Sequence, residues 1–85
     1  MRTTSVPSYE AQVYALALHR WHFGQWDPVY QVGCLALSGQ PISESLLLET
    51  QEGLLAFLCR ASNPAHRNEL HKLVEQTALY INRLA

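Results

Sequence analysis

The sequence predicts an all-α fold, a small bundle of about four antiparallel helices spanning roughly 8–23, 28–38, 43–61 and 64–84. Three observations predict it. Apolar residues recur at steps of three and four, the helical period. Helix-starting residues stand at Ser8, Asp27-Pro28, Ser43 and Asn63-Pro64, with stopping glycines at Gly24 and Gly39. Clean apolar–polar alternation between turn residues, which marks a half-buried strand, occurs nowhere in the chain.

The first helix is expected to be capped by Ser8, whose hydroxyl can accept from the free amides of a first turn. It runs on helix formers from Tyr9 to Phe23 and ends at Gly24, which suits the left-handed position after a helix. Asp27 followed by Pro28 opens the second helix, because proline at the first helical position loses no hydrogen bond and already has the right φ. Gly39 closes it. Ser43 caps the third, with Ile42 and Leu47 at the two positions of a hydrophobic staple. Asn63-Pro64 repeats the cap-then-proline device for the fourth. Loops of three to five residues follow, and short loops favour antiparallel neighbours. Residues 1–7 are expected to form a flexible N-terminal segment and 8–85 a single helical domain.

The helices differ in what they show to water. In the fourth, Leu70, Val74, Thr77, Ile81 and Leu84 make one stripe, widened by Leu73 and Tyr80. Glu69, Lys72, Gln76 and Arg83 lie opposite, and Glu69 and Lys72 are spaced to pair one turn apart. The first helix carries two stripes: Tyr9, Val13 and Leu16, then Tyr14, Ala17, Leu18 and Trp21. In the third, Leu46, Leu47 and Leu48 are consecutive and spread round a turn, as do Leu54, Leu55, Phe57 and Leu58. Gly53 in that helix is a place where another helix could approach closely, or a tolerated glycine facing solvent.

Composition sharpens the point. Of 85 residues, 48% are hydrophobic and only 15% charged, against roughly 25% charged in an average soluble protein. A domain this small buries only about 60–65% of the surface of its unfolded chain. Its apolar side chains therefore outnumber the inward-facing positions. The remainder should lie exposed as a contact surface, with a symmetric homodimer the default arrangement. The aromatic residues Trp21, Phe23, Trp26 and Tyr30 and the leucines Leu47, Leu48 and Leu55 are the expected partner-binding residues, since aromatic anchors dominate binding energy.

Charge and motifs exclude much else. Six Lys and Arg against seven Asp and Glu give a net charge of −1, unlike a polybasic nucleic-acid or membrane-surface binder. The longest apolar runs, Val13–Leu18 and Leu54–Cys59, have six residues each, where a membrane span needs about 20. One cation with no apolar run behind it gives no secretory leader. The expected compartment is the cytoplasm, with Cys34 and Cys59 as buried thiols rather than a disulfide.

His19-x-x-His22 could share a metal ion, but no second close ligand pair accompanies it. The two histidines read as half-exposed residues on a helix rim. Cys59 with His66 or His71 could form a thiolate–imidazole pair, and Glu49 and Glu52 could cluster. A thiol between Leu58 and Arg60 on an apolar helix reads more simply as inert, and the glutamates as a solvated face. No catalytic residue, metal site or cofactor is assigned. The expectation is a non-enzymatic module acting by protein–protein contact, such as an adaptor, an inhibitor or anti-activator, an immunity-type protein or a chaperone-like protein. A bacterial or phage source fits its size. The alternative is a small DNA-binding transcriptional regulator using Arg67, Asn68, His71 and Lys72 at the start of the fourth helix.

Overall fold

The computed structural model describes residues 2–85 and is an all-α bundle with one minimal sheet. In chain order its elements are β1 (Thr3–Thr4), α1 (Ser8–Leu18), α2 (Pro28–Leu37), β2 (Ile42–Ser43), α3 (Glu44–Arg60) and α4 (Pro64–Asn82). Consecutive helices pack on one another, and α1 closes against α4. The last pair is antiparallel: Glu10 at the start of α1 meets Tyr80 near the end of α4, and Arg20, just past α1, reaches Glu69 near the start of α4. The core gathers Tyr14 and Leu18 of α1, Val29 and Val32 of α2, Leu47 and Leu54 of α3, and Leu70 and Tyr80 of α4.

Three of the four expected caps form. Asp27 accepts from the amide of Val29 at 2.9 Å, Ser43 from that of Leu46 at 3.3 Å, and Asn63 from those of Ala65 and His66 at 2.8 and 3.4 Å. Each relieves amides that a first turn leaves without a helical partner. Ile42 and Leu47, the staple pair around Ser43, are both fully buried in the core. Gly39, at φ 69°, ends α2 as a Schellman turn: its amide donates to Ala36 O at 3.2 Å, and that of Gln40 donates to Leu35 O at 3.0 Å. The end of α3 is closed by a side chain instead. Arg67 Nη1 donates to the carbonyls of Leu58 and Ala61 at 3.0 and 2.9 Å.

The beginning and end of α1 depart from expectation. Ser8 is the first helical residue, and Pro7 holds the cap position with no side-chain bond. The helix stops at Leu18, so residues 19–27 form a nine-residue linker rather than a short loop. The cause is long-range. Trp21 turns edge-on to Phe57, at 5.6 Å between ring centroids, and to His66, at 5.4 Å. His19 stacks on Tyr30 at 4.5 Å and packs where a Cβ on Gly33 would come within 2.3 Å of its Nε2. Gly24 therefore sits in the linker, at φ 144°, and does not end the helix.

Residues 2–7, within the segment expected to be flexible, lie against the bundle. Met1 is outside the described residues, but Thr3 and Thr4 pair antiparallel with Ser43 and Ile42, and Val6 is buried. Arg2 pairs with Glu44 at 2.7 Å, and the Ala85 amide donates to Thr3 O. A two-residue bridge is too short to leave an alternating signature. Gly53 faces α2, where an added Cβ would stand 3.1 Å from Val29, so the close approach it permits is within this chain.

Candidate interaction surfaces

The seam between α1 and α4 settles which stripe of α1 turns inward. Tyr14 and Tyr80 meet edge-to-face at 5.0 Å. The Tyr14 hydroxyl lies 2.7 Å from Thr77 Oγ1, while Tyr80 donates to Glu10 and accepts from Gln76 Nε2 at 2.8 Å. Burial pushes the Tyr14 hydroxyl pKa well up. Burial, reinforced by the bond to the Glu10 carboxylate, pushes that of Tyr80 up to about 12. Both stay neutral because a phenolate here would lose water and, at Tyr80, face a carboxylate. Glu69, expected to pair with Lys72, pairs instead with Arg20 across this seam at 2.8 Å.

With Tyr14 inside, the other stripe points out. Tyr9 is 83% exposed, Val13 71% and Leu16 54%. Steps of four and three place them on one line of the helix. Two further backbone bonds, from Arg20 to Ala17 O and from Trp21 to Leu18 O, carry the chain one more turn. Arg20, four residues past Leu16 in that turn, keeps an exposed side chain. The sequence showed this stripe but could not tell which of the two on α1 would be covered.

A second apolar surface lies at the end of the bundle where α1 and α3 finish and α4 begins. Phe23 stacks on Phe57 with centroids 4.8 Å apart and planes 15° from parallel. The Arg60 guanidinium stands 5.9 Å from the centre of Phe23 and 5.7 Å from that of Phe57, within cation–π range. Phe23 is nonetheless 73% exposed, and Trp26, in the same linker, 81%. Phe57 and Arg60 belong to this surface although the sequence did not point to them. Their spacing of three on the third helix was the available signal.

The remaining expected contact residues divide. Trp21 and Tyr30 are half-buried and pin the linker: Trp21 on Phe57, Tyr30 between His19 and His22. The indole nitrogen of Trp21 is buried and finds no hydrogen-bond partner among the described residues. Leu47 is fully buried and belongs to the same core cluster as Ile42. Leu48 and Leu55 are exposed and aligned seven residues apart. They lie on the opposite flank of α3 from Phe57, since two residues turn a helix by about 200°. The aromatic residues and these leucines therefore do not form one surface.

Cys34 and Cys59 are free and exposed, contrary to the expectation of buried thiols; Cys59 lies on the outer line of Leu48 and Leu55. Nor are His19 and His22 a pair on a helix rim. Both follow α1, His19 is packed on Tyr30, and His22 Nδ1 accepts from the Gly24 amide at 3.0 Å. Among the described residues no group of three or more His, Cys, Asp or Glu is placed to hold a metal ion. No described helix is long and apolar enough to cross a membrane. Arg67, Asn68, His71 and Lys72 are all exposed, but Arg67 is committed to the carbonyls at the end of α3. A cleft of about 330 Å³ beside α1 is lined by Val6, Ala11, Gln12, Ala36 and Leu37, with no ionisable side chain. The chain matches no family model, no curated protein and no solved structure.

Proposed function

We propose that this protein is a small interaction module that works by protein–protein contact rather than by chemistry, using the aromatic end of its bundle. One observation carries the reading: Phe23 is held flat on Phe57 under the Arg60 guanidinium, yet faces water over most of its surface. An exposed aromatic side chain already fixed in place loses little freedom on binding, so more of its burial is available as affinity. Aromatic residues and arginine are also the usual anchors of protein interfaces. Trp26 adds a second large apolar group in the same linker. In this reading the protein acts by occlusion, covering a functional surface of its partner as an adaptor, inhibitor or anti-activator, immunity-type or chaperone-like protein would. A cytoplasmic role in a bacterium or phage belongs to the same proposal.

Affinity capture from the native cell tests it. The Phe23→Ala/Trp26→Ala variant is expected to lose the partner retained by the wild type while its circular dichroism stays unchanged. Leu48→Ser/Leu55→Ser, on the opposite flank of α3, is expected to retain it. A partner held equally well by the Phe23/Trp26 variant shows that the aromatic end is not the contact surface.

A further inference from the structure

We infer that the outer face of α1 is the contact between two copies of this chain, packed antiparallel about a two-fold axis. The inference rests on the contact-module reading in general, but on a different surface from the aromatic end. Three observations lead to it.

The first is the face itself. Tyr9, Val13 and Leu16 form an exposed line that no other described residue covers, on a helix whose opposite side is already fully packed. A surface helix of a monomer ordinarily turns polar residues outward, as α4 does with Asn68, Lys72 and Glu75, Leu79 being its exposed apolar exception.

The second is charge. The end of the bundle holding the 19–27 linker, the end of α3 and the first half of α4 carries Arg20, Arg60, Arg67 and Lys72 against Asp27 and Glu69, with all four histidines. The opposite end carries Glu10, Glu44, Glu49 and Glu75 against Arg2 and Arg83. Each chain is thus basic at one end and acidic at the other. A second copy laid antiparallel sets each basic end beside an acidic one, while a parallel copy sets like beside like.

The third is register. With the two-fold axis between Tyr14 and Ala15, Val13 of one copy meets Leu16 of the other, and Tyr9 of one meets Arg20 of the other. Every contact is made twice, as an isologous interface requires. Arg20 holds Glu69 through Nη1, which leaves the plane of its guanidinium to lie on the tyrosine ring.

Size sets the strength. An 11-residue helix is about 16 Å long and supplies about half of the roughly 800 Å² per partner of a standard interface. The dimer is therefore expected to form in the micromolar range and to weaken with added salt as the charged ends are screened.

Analytical ultracentrifugation across micromolar concentrations is the test. The wild type should shift from the 9.6 kDa of one chain to twice that mass. Val13→Lys and, independently, Leu16→Glu should hold it at the mass of one chain with unchanged circular dichroism. A wild type that stays monomeric throughout, or a dimer that survives both substitutions, overturns the inference. Orientation is read by oxidative cross-linking in a Cys34→Ser/Cys59→Ser background. Val13→Cys mixed with Leu16→Cys should cross-link across copies and Tyr9→Cys with itself should not; the reverse pattern overturns the antiparallel register. A monomer that still captures a partner through Phe23 and Trp26 defeats this inference and leaves the proposed function standing. A dimer that captures nothing does the opposite.

Discussion

α1 and α4 lie side by side in opposite directions, joined by Tyr14, Thr77, Tyr80 and Glu10, yet they treat water differently. α4 buries Leu70, Leu73, Thr77 and Tyr80 and turns Asn68, Lys72 and Glu75 outward, with Leu79 the apolar exception among them. α1 buries Ala11, Tyr14, Ala15 and Leu18 and turns Tyr9, Val13 and Leu16 outward. The inner face of α4 is met by α3 and α1. The inner face of α1 is met by α2 and α4, while its outer line is covered by no described residue. The comparison teaches that the unsatisfied part of a small bundle is found by asking which helix stays apolar after its own core has been subtracted.

The contrast can be broken most severely on the buried side. Leu70→Ala is expected to lower unfolding free energy by about 2–5 kcal/mol, because a fully buried leucine leaves a cavity its neighbours fill only in part; urea denaturation measures it. A loss below about 1 kcal/mol would mean that the inner face of α4 is not tightly packed.

Alkaline pH pries at the seam itself. The Tyr80 pKa is raised from 10.0 to about 12 in the folded state. Its neutral form therefore stabilises the fold fully below pH about 10, and that contribution is lost as pH rises towards about 12. Tyr14, raised by burial, acts in the same direction. Denaturant midpoints measured across this window should fall with pH, in step with tyrosine ionisation followed by ultraviolet absorbance, and Tyr80→Phe should reduce the slope.

The smallest effect is expected on the outer side. Leu16→Gln should change the stability of the single chain by no more than about 0.5 kcal/mol, since the side chain makes little of the fold. Measured at concentrations below dimer formation, a larger loss would show that the outer stripe of α1 serves the fold after all.

How much could be read in advance followed the range of each interaction. Asp27, Ser43 and Asn63 act on amides two or three residues ahead, and Gly39 on the turn it occupies, so these boundaries were legible. The end of α1 was not. Gly24 satisfies every local rule for a stop, but the chain had already left the helix to bring Trp21 onto Phe57 and His19 onto Gly33, partners far along the sequence. The contact residues divided the same way. Phe23 and Trp26 are as exposed as an aromatic-rich turn suggested, whereas three leucines that looked alike proved different: Leu47 lies in the core, and Leu48 and Leu55 look out on the far flank. Residues 2–6 carry too short a pattern to announce a strand, and they are tied down by Ser43, Ile42 and the buried Val6.

Helix content, three of four caps, the antiparallel order and an excess of apolar side chains over core positions follow from composition, spacing and contacts a few residues long. Which stripe of α1 is covered, where that helix stops, and the separation of the aromatic end from the Leu48–Leu55 flank follow from packing. A helix with two equivalent apolar faces carries no internal preference between them. Small Ala11 and Ala15, which let neighbours approach, and the partners that Thr77 and Glu10 offer the two tyrosines make the choice, and those partners meet only when distant segments fold together.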